Sequence, residues 1–171
     1  GELEPALDLL LAGGSNPFRV IVEPLDQQGS TDAEPTNDNS DPFLVNWCTV
    51  TPNYSNPKFE EFWQTIAYLN ELGIPERLVL SFMGPVPQWM GGSGVSAAML
   101  DEWVELIASA AYYGRVKRGL SFGMLSPGNE IDWDAIEGPQ IYATNYATGL
   151  RKLAERLDAY GLSDVRLVGP E

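Results

Sequence analysis

One unit recurs along this chain and restricts its fold more than any other feature: an amphipathic helix, a glycine near its end, a short link, then an apolar strand. The instances run from Ala6 to Leu11 into Phe18 to Val22, from Phe59 to Leu72 into Leu78 to Met83, from Leu100 to Tyr113 into Leu120 to Leu125, and from Ile141 to Tyr160 into Val165 to Val168. Strands apolar on both faces belong in sheets covered by helices. Regular alternation of such strands with helices predicts an α/β fold with a parallel sheet and right-handed crossovers.

The helices carry their own punctuation. Asn56 is placed to cap the second, with Pro57 at its first position and Gly73 just past its end, while Phe59, Phe62, Trp63, Ile66 and Leu69 keep the 3.6-residue period. Leu100, Trp103, Val104, Ile107 and Ala111 form the apolar stripe of the third, which makes Trp103, like Trp63, a core residue. Tyr146, Leu150, Leu153, Leu157 and Tyr160 mark the fourth, which ends at Gly161. Between the first strand and the second helix, 23–41 reads as a polar surface insertion, and Phe43 to Val50 as a possible added strand.

The connections are unequal. Helix-to-strand links are short and have no aromatic residue, whereas strand-to-helix links are long and hold Trp47, Tyr54, Trp89 and Trp133. The aromatic residues are therefore expected at the carboxyl ends of the strands, the active face of an α/β barrel. Asn129 and Glu130 follow the strand Leu120 to Leu125 directly, which puts a carboxyl group at that face.

Composition limits the chemistry available there. With 171 residues, 44% of them hydrophobic, the chain can build one domain with a real core. It has no histidine, which removes imidazole bases and the commonest transition-metal ligand, and the single Cys48 forms neither an internal disulfide nor a cysteine-rich zinc site. Cys48 reads as an inert small residue. Acid–base work within this segment falls to carboxylates, Tyr or Lys, and the 24 Asp and Glu against 10 Lys and Arg make carboxylates the natural choice. A formal charge of −14 repels phosphate backbones, so nucleic acid is excluded as a partner and neutral ligands fit better. No apolar run reaches the roughly 20 residues of a membrane span. Asp32, Asp38 and Asp41 lack the spacing and closing Glu of a calcium loop, so no metal and no cofactor is expected.

Strand Leu78 to Met83 runs into Gly84-Pro85-Val86-Pro87-Gln88-Trp89-Met90, and the next strand runs into Asn129-Glu130. In these two segments the chain resembles the retaining glycoside hydrolases of clan A. It looks most like the glucosylceramidase and glucuronoxylanase family, whose third-strand segment ends Pro-Pro-x-Trp-Met or Trp-Leu. The chain departs from that family in following Asn129-Glu130 with Ile131-Asp132-Trp133, where Pro is common.

The resemblance implies a (β/α)8 barrel acting on a β-linked glycoside or polysaccharide, with residues 1–171 as its central portion, strands two to five, incomplete at both ends. It implies Glu130 as general acid/base, Asn129 as donor to the sugar 2-hydroxyl, Arg19 as a positioning residue near the nucleophile, and Trp89 as a subsite wall. Trp133 and Trp47 are further candidates for the sugar-binding face. The nucleophile is expected on a seventh strand outside this segment, and a secreted or periplasmic location follows from the family. Cleaving a glycoside with retention needs two carboxyl groups about 5–5.5 Å apart, one protonating the leaving group while the other attacks. Two other readings stand beside this one: an inactive carbohydrate-binding relative, and a doubly wound α/β protein binding a phosphorylated ligand. The latter lacks any Gly-rich phosphate loop after a strand. Glu171 ends the expected fifth strand and is left outside the catalytic set.

Overall fold

The computed structural model describes residues 3–15, 17–27, 36–133 and 137–169, and within them the alternation becomes one sheet. Four strands, β1 (Phe18–Val22), β2 (Leu78–Phe82), β3 (Met124–Ser126) and β4 (Arg166–Leu167), lie side by side in chain order, all parallel. Five helices accompany them: α1 (Leu3–Ala12), α2 (Trp47–Tyr54), α3 (Pro57–Glu71), α4 (Leu100–Tyr112) and α5 (Ala143–Ala159). The strand order has no reversal among the described strands, so right-handed crossovers put α3, α4 and α5 on one face. A doubly wound sheet, by contrast, reverses its order at a switch point.

Side chains alternate across the strands. Leu78, Leu80 and Phe82 of β2 and Leu125 of β3 enter a common core with Trp63 and Ile66 of α3 and Trp103 and Ile107 of α4. Burying each such side chain contributes roughly 1.5–3 kcal/mol. Arg19, Ile21, Val79, Ser81, Met124 and Ser126 take the opposite positions. Ser81 pairs in register with both Ile21 and Ser126, and Ile21 is 48% exposed. The face away from the helices is thus mixed in polarity.

Local signals set the helix limits as expected. The Asn56 side chain accepts a hydrogen bond from the Phe59 amide at 3.1 Å, Pro57 opens α3, and Gly73 follows it with φ +77°. Past α4 the helix widens into a π-turn over Tyr113–Lys117, where the Gly114 backbone lies against Trp63, 2.9 Å from where a Cβ would sit.

Two expectations fail for identifiable reasons. Residues 43–50 form no added strand: α2 begins at Trp47, with Asn46 capping the Cys48 amide at 3.2 Å. The third strand is only three residues long, because the backbone of 120–122 is engaged elsewhere. Leu120 N–H donates to Gly114 O, Ser121 exchanges two hydrogen bonds with the Asn70 side chain at 2.7 Å each, and Phe122 O accepts from Arg115. No described helix is long and apolar enough to cross a membrane.

Candidate active site at the carboxyl ends of the strands

Three strands converge on one polar chain of contacts. Arg19, inside β1, sends its Nη2 across the sheet, where it donates to Ser81 Oγ and to Asn129 Oδ1, each at 2.9 Å. An Arg within an apolar strand needs such acceptors, since a guanidinium has donors only and its burial unpaired is expensive. Asn129, just past β3 and buried, donates from Nδ2 to Glu137 Oε2 at 3.1 Å. Glu137 in turn accepts, through its main-chain carbonyl, the Gly84 amide past the end of β2 at 3.2 Å.

The loop after β3 folds back over its own strand end. Gly138 sits so close to Asn129 that a Cβ there would lie 2.0 Å from the Asn129 carbonyl oxygen, so only glycine fits. Further along, the Val95 amide donates to Gln140 O and the Gln140 amide to Ser93 O, tying the two loops that follow β2 and β3.

Glu130 adjoins this network and is half-buried, with φ +38°, the one left-handed non-glycine residue among those described. Such backbone costs a residue other than glycine on the order of 1–2 kcal/mol and is concentrated at functional sites. Its carbonyl accepts the Trp133 amide at 2.9 Å, closing a turn that leaves the Trp133 side chain 69% exposed. A cleft of about 720 Å³ opens beside that turn, bordered by Ile131, Asp132, Gln140, Tyr142 and Asn145.

The structure therefore joins Arg19 to Asn129, with Glu130 next in the chain and Trp133 exposed at the end of the turn that Glu130 opens. Trp89 is half-buried against the core and lines a narrow cleft with Asn37, Asp38, Pro87, Glu102 and Glu105. Trp47 packs on Tyr112 with ring centroids 5.2 Å apart, under the Lys117 ammonium at 5.6 Å. Tyr112 and Lys117 lie where α4 ends, and a crossover helix ends near the amino ends of the strands. Trp47 is thus packed against the end of α4.

Glu137 is the residue that sequence reading missed. Its signal was available: a carboxylate eight positions after Asn129, followed by Gly138-Pro139, which turns a loop back over its strand. Among the described residues, no group of three Asp, Glu or Cys side chains is placed to hold a metal ion; Asp32 and Glu171 lie outside the described residues.

No protein-family model matches the chain, and no curated protein matches it. What the fold defines is an α/β protein with a four-stranded parallel sheet and one helical layer, in which a guanidinium of β1 reaches across β2 to an amide that follows β3, with a carboxylate next to it in the chain.

Proposed function

We propose that this chain is part of a retaining glycoside hydrolase barrel acting on a β-linked glycoside or polysaccharide, with Glu130 as general acid/base. The observation that carries the reading is the bond from Arg19 to Asn129 beside Glu130, because it joins a motif residue of β1 to the motif pair that follows β3. Sequential parallel strands under a single helical layer are also the arrangement that closes into a barrel.

In this reading Glu130 protonates the leaving-group oxygen and then, as carboxylate, takes a proton from the attacking water. Asn129 orients the sugar through its amide, and Arg19 holds Asn129. The nucleophile belongs to a strand other than these four. Trp133, exposed at the rim, offers a flat apolar surface on which sugar C–H groups can stack.

The test is Glu130→Gln in the complete protein. Turnover should fall by about 10² to 10⁴ on substrates with poor leaving groups. An aryl β-glycoside with a good leaving group should accumulate glycosyl-enzyme, and azide should restore turnover with a β-glycosyl azide as product. An α-azide, or unchanged turnover on natural glycosides, would sink the assignment.

A further inference from the structure

We propose that the narrow cleft between the 36–46 loop, α2 and α4 binds the ammonium head of a small primary amine, with Glu105 as its chief anionic partner. This site stands apart from the glycosidase reading and does not rest on it.

Glu102, Glu105, Leu106 and Ser109 of α4 all border the cleft, and their spacing is that of one helical face. Glu105 is 5% exposed, yet its Oε1 has no hydrogen-bond partner among the described residues. A buried polar atom of that kind is unfavourable until a donor reaches it. Its neighbours make the want a cationic one. Asp38 and Glu102 border the same cleft, no Lys or Arg does, and residues 23–41 carry six Asp and Glu with no basic residue. Arg156 of α5 is the nearby opposing charge, but its Nη2 donates to the Pro42 carbonyl at 3.0 Å, its guanidinium lies 5.1 Å from the Phe43 ring centroid, and it does not bond Glu105 Oε1. Burial first, then Asp38 and Glu102, push the Glu105 carboxyl up to about 8, with Arg156 opposing and Asp41 adding to the rise. Tyr54 of α2, bonded to Ser109 Oγ at 2.7 Å and raised further by burial, stays neutral. At neutral pH Glu105 therefore keeps a proton unless another cation takes its place.

Size and wall chemistry select an ammonium. The cleft holds about 40 Å³, and since one water needs roughly 10–15 Å³, there is room for about three non-hydrogen atoms. No three Asp, Glu or Cys side chains among the described residues stand close enough to ligate one metal ion. Carboxylates spread around a cleft suit a cation that donates in several directions, and an alkylammonium has three N–H donors. Val45, Val50, Pro87 and Trp89 supply the rest of the wall, apolar surface that accepts methylene groups and an aromatic ring that favours an organic cation over a hydrated metal.

The experiment titrates ethylammonium chloride into the complete protein and into its Glu105→Gln and Glu61→Gln variants, at constant ionic strength and at pH 6, 7 and 8. Tetraethylammonium and calcium chloride serve as comparison cations, and the Trp89 indole N–H signal reports occupancy by NMR. The probe stays protonated throughout, because alkylamines titrate near pH 10. Wild type should bind ethylammonium saturably, and its Kd should fall as pH rises from 6 to 8, by up to the tenfold per unit that release of one proton sets. Glu105→Gln, which keeps the shape of the side chain, should bind at least tenfold more weakly at pH 8 and lose most of the pH dependence. Glu61→Gln removes the same charge from an exposed position on α3 and should bind within about twofold of wild type.

Wild-type protein with no saturable binding, or with binding indifferent to pH, overturns the assignment, and so does a folded Glu105→Gln variant with wild-type affinity. Tetraethylammonium or calcium bound as tightly as ethylammonium also overturns it, since only counter-ion attraction to a chain of charge −14 would then be left. The wild-type ranking of cations and its pH dependence decide the matter even where Glu105→Gln does not fold.

Discussion

Arg19 and Asn129, 110 residues apart, are joined by a 2.9 Å hydrogen bond that spans β2, with Ser81 on that strand accepting from the same nitrogen. Contact between residues so distant in sequence exists only when three strands are in register. Arg19→Met and Asn129→Ala should therefore be strongly non-additive. A double-mutant cycle in urea should give a coupling of about 1.5–3 kcal/mol, the range for a hydrogen bond to a charged group. Additive losses would mean that the bond does not persist in solution.

Glu130 occupies left-handed backbone that glycine would adopt without strain. Glu130→Gly should raise stability by up to about 1 kcal/mol, the relief of strain exceeding the added entropy of the unfolded chain. Glu130→Ala, which keeps a Cβ, should not. Denaturation midpoints at unchanged m-value measure both. A destabilised glycine variant would show that the conformation carries no stored strain.

Glu105, on α4, is 5% exposed, and its Oε1 has no hydrogen-bond partner among the described residues. Its carboxyl is pushed up to about 8, first by burial and then by the Asp38 and Glu102 carboxylates, with Arg156 opposing and Asp41 adding to the rise. The folded state thus keeps its proton to about pH 8, whereas the unfolded chain releases it near 4.5. Between those limits folding takes up a proton, so stability falls as pH rises, by at most about 1.4 kcal/mol per pH unit for one group. Glu105→Gln should match wild type near pH 4 and exceed it at pH 8 in urea unfolding. Parallel profiles would show that Glu105 titrates normally.

Gly138→Ala should displace the loop that carries Glu137, since a Cβ 2.0 Å from the Asn129 oxygen cannot be accommodated without moving the backbone. A loss of about 1–3 kcal/mol is the usual result of overpacking. The Asn129 side-chain amide should also lose its exchange protection. Unchanged stability and unchanged amide signals together would contradict the close approach.

Trp47→Ala should lower the melting temperature without altering ligand binding, because its ring contacts are to Tyr112 and Lys117 on the helical layer. Trp133→Ala should do the reverse, as its side chain is exposed beside Glu130. Binding isotherms with β-linked oligosaccharides and thermal unfolding of both variants separate the two roles. Equal effects on binding would restore Trp47 to the sugar-binding face.

Much of the helical framework was legible residue by residue. The Asn56 cap, Pro57 and Gly73 act on backbone groups within four residues of themselves, so their effect on α3 does not depend on the rest of the fold. The apolar stripes that put Trp63 and Trp103 in the core are equally local patterns. Arg19 was legible for a different reason: a cation in an apolar strand demands an acceptor, although the sequence did not say which.

The sequence by itself determined the helices α3, α4 and α5, the parallel strands between them, and the position of Asn129 and Glu130 at a strand's carboxyl end. These follow from hydrophobic period and turn chemistry, which act over a few residues. Only the tertiary structure decided that Asn70 and Arg115 take the backbone of 121 and 122 from the sheet, that Trp47 belongs to the helical layer, and that Glu137 returns to hold Asn129. Each of those depends on which groups become neighbours once the strands align. Buried donors and acceptors take the partners that folding brings within 3 Å or so, and nothing in the local sequence ranks those partners beforehand.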